Sequence, residues 1–300
     1  MWKVGKKTLS SYMRSACKRQ LLLELFDGSS AQRQQLGFPE EYVVRPGLAA
    51  ITGAGDAWQE QVLRDLDEAF GPTSLVGERV RNQASMKFKA SPLSALLPFA
   101  APGRFLVEAQ FALPSLMKHQ LGLDALAVTY GLKFDEVRPD LIIVNPPGSA
   151  LLQALPDGRT KAIDPSDPRV VLQVADIKLS SEVAAPYLVE VAYYAMALTT
   201  WLEENGHARQ YVVSADCAVW PGSHEGSHLR QCLVKAASVG VPATHSALLA
   251  AVAEDLQIAP YDVVSPRIIR FFRAEVVEAL ASGGAGLWQS LPWHVDSRCI

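Results

Sequence analysis

The spacing of apolar positions changes repeatedly along this chain, and each change marks an expected element. Leu9, Tyr12, Met13, Ala16, Cys17 and Gln20 fall on one helical stripe, continued by Leu21, Leu22 and Leu23 and stopped near Asp27 and Gly28. That pattern predicts a helix over 8–27, with Ser10 or Ser11 as its cap. Residues 29–53 show no period. Asp56 is placed to cap a second helix over 57–70, whose apolar face carries Trp58, Val62, Leu66 and Ala69 and which ends at Gly71 and Pro72. Residues 72–104 again lack a clean period.

Residues 105–113 alternate as a strand does, and Pro114 opens a short helix toward Leu121. A second strand, 137–144, ends at Asn145, Pro146, Pro147 and Gly148. Repeated Pro, Gly and Asp over 145–168 predict a long surface connection. The run 170–178 is nearly continuously apolar and rich in β-branched residues, as a strand covered on both faces should be. Pro186 sits where the first turn of a helix tolerates it, and that helix runs to about Glu204, before Asn205 and Gly206. A fourth strand covers 210–219, and 229–237, 246–256 and 266–281 read as helices. The expected fold is α/β: one domain over 1–300, with a mixed central sheet of at least four strands flanked by helices. Its core spans about 55–220, and helical elaborations at both ends (8–27 and 229–282) pack on it.

Composition narrows the picture. Of 300 residues, 49% are hydrophobic and 20% charged, enough apolar material for a substantial core. The net charge of −3 excludes a uniformly basic nucleic-acid coat, so a polyanion must be met by a local patch. No stretch reaches the roughly 18 uncharged apolar residues of a membrane span. The charged N-terminus lacks the apolar core of a signal peptide, and the four cysteines are too sparse for a disulfide framework. A cytoplasmic protein without a membrane partner is expected.

Candidate chemistry lies at strand ends. Asp140 precedes the run Leu141, Ile142, Ile143, Val144, while Asp176 and Lys178, two apart, share one face of the next strand. With Glu60 from the preceding helix, these carboxylates would form an all-oxygen site for Mg²⁺ or Mn²⁺. Such an ion polarises a phosphoryl oxygen and activates water, and Lys178 would orient that water or offset developing charge.

In order along the chain, these segments resemble the RecB-like branch of the PD-(D/E)XK nucleases, which includes CRISPR-associated exonucleases. Residues Leu9 to Arg19 resemble the family's opening helix, ending in a Cys followed by basic residues, here Cys17, Lys18 and Arg19. Gly55, Asp56, Ala57, Trp58, Gln59 and Glu60 resemble its first motif, with Gln59 in place of the usual His. Arg138, Pro139, Asp140 and Leu141 resemble the second, and Asp176, Ile177 and Lys178 the third. Glu190 to Leu198 resembles the Gln-x-x-x-Tyr helix, with Glu190 for Gln and Tyr194 as the Tyr. The resemblance implies a restriction-endonuclease-like fold and a nuclease acting on single-stranded or end-bearing DNA in defence, recombination or repair, with a helicase or another protein of those pathways as partner. Asp140, Asp176, Lys178 and Glu60 would be catalytic. Asp140, Asp176 and Glu60 would hold the metal, and Glu190, Tyr194, Lys18 and Arg19 would meet the substrate. A catalytically inactive DNA-binding or assembly subunit is the alternative.

Many members of that family carry a 4Fe-4S cluster held by one Cys after the opening helix and three near the C-terminus. Cys17 and Cys299 match two of those positions, and the chain stops at Ile300, so the resemblance implies a segment of a longer protein. The competing reading makes Cys17 a small buried hydrophobe and Cys299 a tail thiol. His224, Glu225 and His228 match His-Glu-x-x-His, which would make a zinc peptidase if both histidines shared a helix face, but Pro221, Gly222 and Gly226 oppose a helix there. Arg267, Arg270 and Arg273 recur at helical spacing, either lining a nucleic-acid groove or forming a wet helix edge.

Overall fold

A computed structural model describes residues 1–38, 48–80, 85–222, 226–284 and 288–292. In chain order, strand β1 (Trp2–Val4) leads into helices α1 (Lys6–Ser15), α2 (Lys18–Leu25) and α3 (Leu48–Phe70). Strands β2 (Leu75–Val76), β3 (Phe105–Val107), β4 (Leu132–Phe134), β5 (Leu141–Asn145), β6 (Leu152–Ala154), β7 (Thr160–Ala162) and β8 (Val170–Lys178) follow. Helix α4 (Ala185–Glu204) leads to β9 (Tyr211–Val213) and β10 (Asp216–Pro221). Helices α5 (His228–Val239) and α6 (His245–Asp255), strand β11 (Gln257–Pro260), and helices α7 (Tyr261–Arg270) and α8 (Val276–Gly284) follow, with shorter helices and strands between the elements named.

Strand β8 organises a seven-stranded mixed sheet in the order β11-β10-β8-β5-β3-β2, in which β9 pairs with the first half of β8 and β10 with its second. The β3-β5-β8 portion is an antiparallel meander, and α4 then carries the chain over to β9 and β10, which run parallel to β8. The apolar run of β8 is covered on both sides. Leu172 and Val174 pack into a core shared with Val191, Ala195 and Leu198 of α4, Leu9 of α1 and Phe271 and Phe272 near the C-terminus. Ala175 and Ile177 face the opposite core, built on Val62, Leu63 and Leu66 of α3 and Leu229 of α5. Alternation therefore sends residue 176 toward α4, not toward α3. Among the described residues, no helix is long and apolar enough to cross a membrane.

Several expected elements are corrected. The helix over 8–27 is two helices, because Ala16 adopts a left-handed backbone (φ 48°) and Cys17 becomes the cap of α2, its thiol accepting from the Gln20 N–H at 3.5 Å. Ser10 is buried inside α1, and the Thr8 hydroxyl closes that helix's start by bonding the N–H (3.1 Å) and C=O (2.9 Å) of Gly5. Helix α3 starts at Leu48, so Asp56 lies within it rather than at its cap. The strand expected over 105–113 breaks at Glu108, whose φ of 53° diverts Ala109–Gln110 to pair with Ser91–Pro92. The 145–168 connection contains the β6–β7 hairpin, and the 210–219 strand divides into β9 and β10.

Both terminal elaborations are fastened together. Lys18 pairs with Glu275 at 3.3 Å and Glu278 at 2.5 Å, and Arg19 donates to the Leu291 carbonyl at 3.1 Å. Left-handed backbone costs a residue with a Cβ about 1–2 kcal/mol, partly offset by the greater entropy that a glycine loses on folding. Ala16→Gly is therefore expected to stabilise the protein by about 0.5–1 kcal/mol, read as a raised urea midpoint at unchanged m-value.

Candidate active site

Register brings the strand-end acids together. Ala175 pairs with Leu141, so the next rung of the antiparallel ladder sets Asp176 opposite Asp140. The Ile177 N–H donates to Asp140 Oδ2 at 2.8 Å. Asp176 is fully buried (0% exposed), and neither of its oxygens receives a hydrogen bond from a backbone N–H or a hydroxyl. Its compensation is charge. The Lys178 ammonium contacts Asp176 directly and lies 3.2 Å from Glu190 Oε2.

Helix α4 supplies the opposite wall. Tyr187, Glu190 and Tyr194, at spacings of three and four, share the helix face turned to the end of β8. The Lys178 ammonium lies 5.6 Å from the Tyr187 ring centroid. From the far end of the sequence comes Lys6, the first residue of α1. Its ammonium stands 3.9 Å from Asp176 Oδ1, 3.8 Å from Glu190 Oε2 and 5.2 Å from the Tyr194 ring centroid. Lys6 belongs to none of the motifs in the sequence, and no spacing relation ties it to the acids it meets.

The electrostatics follow from this packing. Burial first, and the neighbouring Asp176 charge second, hold the Asp140 carboxyl well above the usual carboxylate range. Burial also pushes Asp176 upward, but the ammonium groups of Lys178 and Lys6 outweigh it, so Asp176 titrates below its ordinary value. For Lys178, burial opposes the charge, yet the carboxylates of Asp176, Glu190 and Asp140 prevail and raise it above the ordinary lysine value. Of the two acids, Asp140 is thus the one that holds a proton more readily, while Lys178 stays an ammonium.

The other expected site residues lie elsewhere. Glu60 is bound to Arg64 (3.0 Å), Lys87 (3.5 Å) and the Met86 N–H (3.3 Å), because α3 packs on the sheet face away from Asp176. Gln59, where the motif has His, donates to Glu108 Oε1 at 2.9 Å, and Glu108 also holds Arg138 at 3.1 Å. Lys18 and Arg19, expected to meet substrate, are committed to the C-terminal clasp. Of the three arginines at helical spacing, Arg270 pairs with Glu275 (3.2 Å) and Arg273 donates to the Gln120 carbonyl (2.6 Å). Cys17 is a buried helix cap, and Cys299 lies outside the described residues, as do His224 and Glu225. His228 starts α5, where its N–H (2.6 Å) and Nδ1 (3.0 Å) both meet Asp255.

Among the described residues, no three His, Cys, Asp or Glu side chains gather closely enough to hold a metal ion together. Asp140 and Asp176 nevertheless form an adjacent all-oxygen pair whose inner member lacks backbone donors, which suits a hard cation that keeps several waters. No protein-family model, curated protein or solved structure matches the chain.

Because its folded pKa is raised, Asp140 contributes stability that is complete below its unfolded value near 4 and lost as pH rises through the folded value. Asn mimics the protonated form and still accepts from Ile177. Asp140→Asn is expected to stabilise the protein by about 1–2 kcal/mol at neutral pH, an advantage that shrinks on acidification, in thermal unfolding scanned against pH. Asp176→Asn acts in the opposite direction. It removes a carboxylate from two ammonium groups and is expected to cost about 3 kcal/mol at neutral pH.

Proposed function

We propose that the chain is a metal-dependent nuclease that hydrolyses DNA phosphodiester bonds, with single-stranded or end-bearing DNA as its substrate. The observation that carries this reading is the convergence of Asp140, from the start of β5, with Asp176 and Lys178, from the end of β8, at one partly buried point of a mixed sheet. That arrangement agrees with the resemblance of these segments, in the same order, to RecB-like PD-(D/E)XK nucleases. Asp140 and Asp176 would hold Mg²⁺ or Mn²⁺, which when bound supplies Lewis-acid polarisation of the phosphoryl group and a more acidic water.

The chain's own groups divide the remaining work. Lys178 is held as an ammonium by the acids around it, so it acts as a hydrogen-bond donor to water or to a phosphoryl oxygen rather than as a base. Glu190 and Asp176 fix that ammonium between them, restricting its direction. On one face of α4, the buried Glu190 and Tyr194 back the ammonium groups of Lys178 and Lys6, through which contact with the substrate backbone would pass. A second reading, a non-cleaving DNA-binding or assembly subunit of the same fold, draws on the commitment of Glu60 to Lys87 and Arg64.

The two readings separate in a cleavage assay on end-labelled single- and double-stranded DNA with Mn²⁺. Cleavage by the wild type is expected, abolished by EDTA and reduced about 10³-fold, near 4 kcal/mol of barrier, by Asp176→Ala or Lys178→Ala. Glu60→Gln is expected to stay within about tenfold of wild type, since Glu60 stands outside the Asp140–Asp176 pair. DNA binding without cleavage under any divalent metal would select the second reading.

A further inference from the structure

The position of Lys6 is over-determined for a residue so near a chain end. Strand β1 pairs in parallel with β4, Trp2 to Leu132 through Val4 to Phe134, and Lys3 is paired with Asp135 at 2.5 Å. Gly5 then lies so close to Asp135 that a Cβ there would fall 2.5 Å from the Asp135 Cβ, a contact no other residue type tolerates without a shift. Thr8 bonds both backbone groups of Gly5. The backbone on either side of Lys6 is therefore fixed against Asp135 before the lysine stem leaves it.

The direction taken by the stem is equally constrained. It runs along the face of Tyr194, a fully packed ring, and places the ammonium above Asp176 and Glu190, which are almost completely buried. Lys178 already contacts both of those carboxylates at shorter range. Lys6 sits nearly 4 Å from each, beyond hydrogen-bond distance, and its side chain is 37% exposed. Its charge is thus attracted by the acids, while the ammonium itself is within hydrogen-bond distance of neither carboxylate and is open to solvent on one side. A surface lysine would spread over many rotamers. This one is an oriented ammonium, open on one side, beside the site where a phosphodiester would be handled.

The geometry points to Lys6 as a substrate-binding residue of this site, a second cation delivered from the N-terminal segment that grips a non-bridging oxygen of a nucleic-acid phosphate. The inference deepens the nuclease reading and rests on it for the substrate class, but phosphate binding by Lys6 requires no metal and no turnover. Lys178 and Lys6 would then have different duties: the buried ammonium serves the reacting centre, and the open one holds the backbone in register, as phosphate contacts do.

The test separates binding from cleavage. Binding of a fluorescein-labelled oligodeoxythymidylate is followed by anisotropy in EDTA, for wild type, Lys6→Met, Lys6→Arg and, as a control, Lys7→Gln at the adjacent exposed position. Lys6→Met is expected to weaken binding about tenfold and to flatten the dependence of log affinity on log salt by about 0.7, one single-strand phosphate contact. Lys6→Arg should keep most of the affinity, and Lys7→Gln should stay within about twofold of wild type. Where Mn²⁺ supports cleavage, Lys6→Met should raise KM more than it lowers kcat.

Should Lys6→Met not fold, acetylation footprinting of the wild type takes its place, with Lys6 protected by the oligonucleotide and Lys7 still modified. Oligonucleotide affinity unchanged by Lys6→Met, an unprotected Lys6, or no binding by the wild type would each overturn the inference. Binding that depends on Lys6 without cleavage under any metal would sustain it and sink the nuclease reading alone.

Discussion

Burying two carboxylates side by side is the constraint around which this molecule is built. Asp176 lies wholly out of water and Asp140 partly so, and the fold answers with a raised Asp140 carboxyl and with ammonium groups around Asp176. Those ammonium groups come from distant places: Lys178 from two positions along the same strand and Lys6 from the first helix. Glu190 adds a third acid that would be intolerable without them. The packing of α1 and α4 against the strand ends is thus also a charge-balancing device, and displacing either helix would leave an acid stranded in the core.

The sheet explains why the acids meet at all. An antiparallel pair holds residues in strict opposition, and a one-residue slip would send Asp176 to the α3 face among Val62 and Leu66. Glu108 leaves β3 through a left-handed backbone just where its N–H reaches the Asp140 carbonyl at 3.1 Å, so the strand diverges at the level of the site. That divergence lets Gln59 and Arg138 gather on the Glu108 carboxylate. A left-handed residue at a strand end turns the chain to a new partner, here Ser91–Pro92.

Long apolar runs were the most legible parts of the chain. The strand at 170–178 and the helix from Pro186 to Glu204 could be read because doubly covered strands and proline-started helices leave wide signals. Asp140, Asp176 and Lys178 could be read because strand ends and two-residue spacing are local facts. Short strands such as β1, β4 and β11 were illegible, having three or four residues each and partners far away in sequence. The break at Ala16 was illegible for a different reason: a helix-favouring residue in a left-handed backbone is imposed by the packing of α1 and α2, with no glycine to announce it. Glu60 shows the limit of motif spacing. Its neighbour pattern was visible, but the sheet face that its helix covers is decided by tertiary packing, and that face is the wrong one for a third ligand. Lys6 had no spacing relation to anything it touches.

The clasp between Lys18 and the pair Glu275 and Glu278 joins residues up to 260 positions apart. Closing a loop of that length costs chain entropy that a few ion pairs do not offset alone, so the two terminal elaborations fasten each other where the intervening sheet has already brought them together.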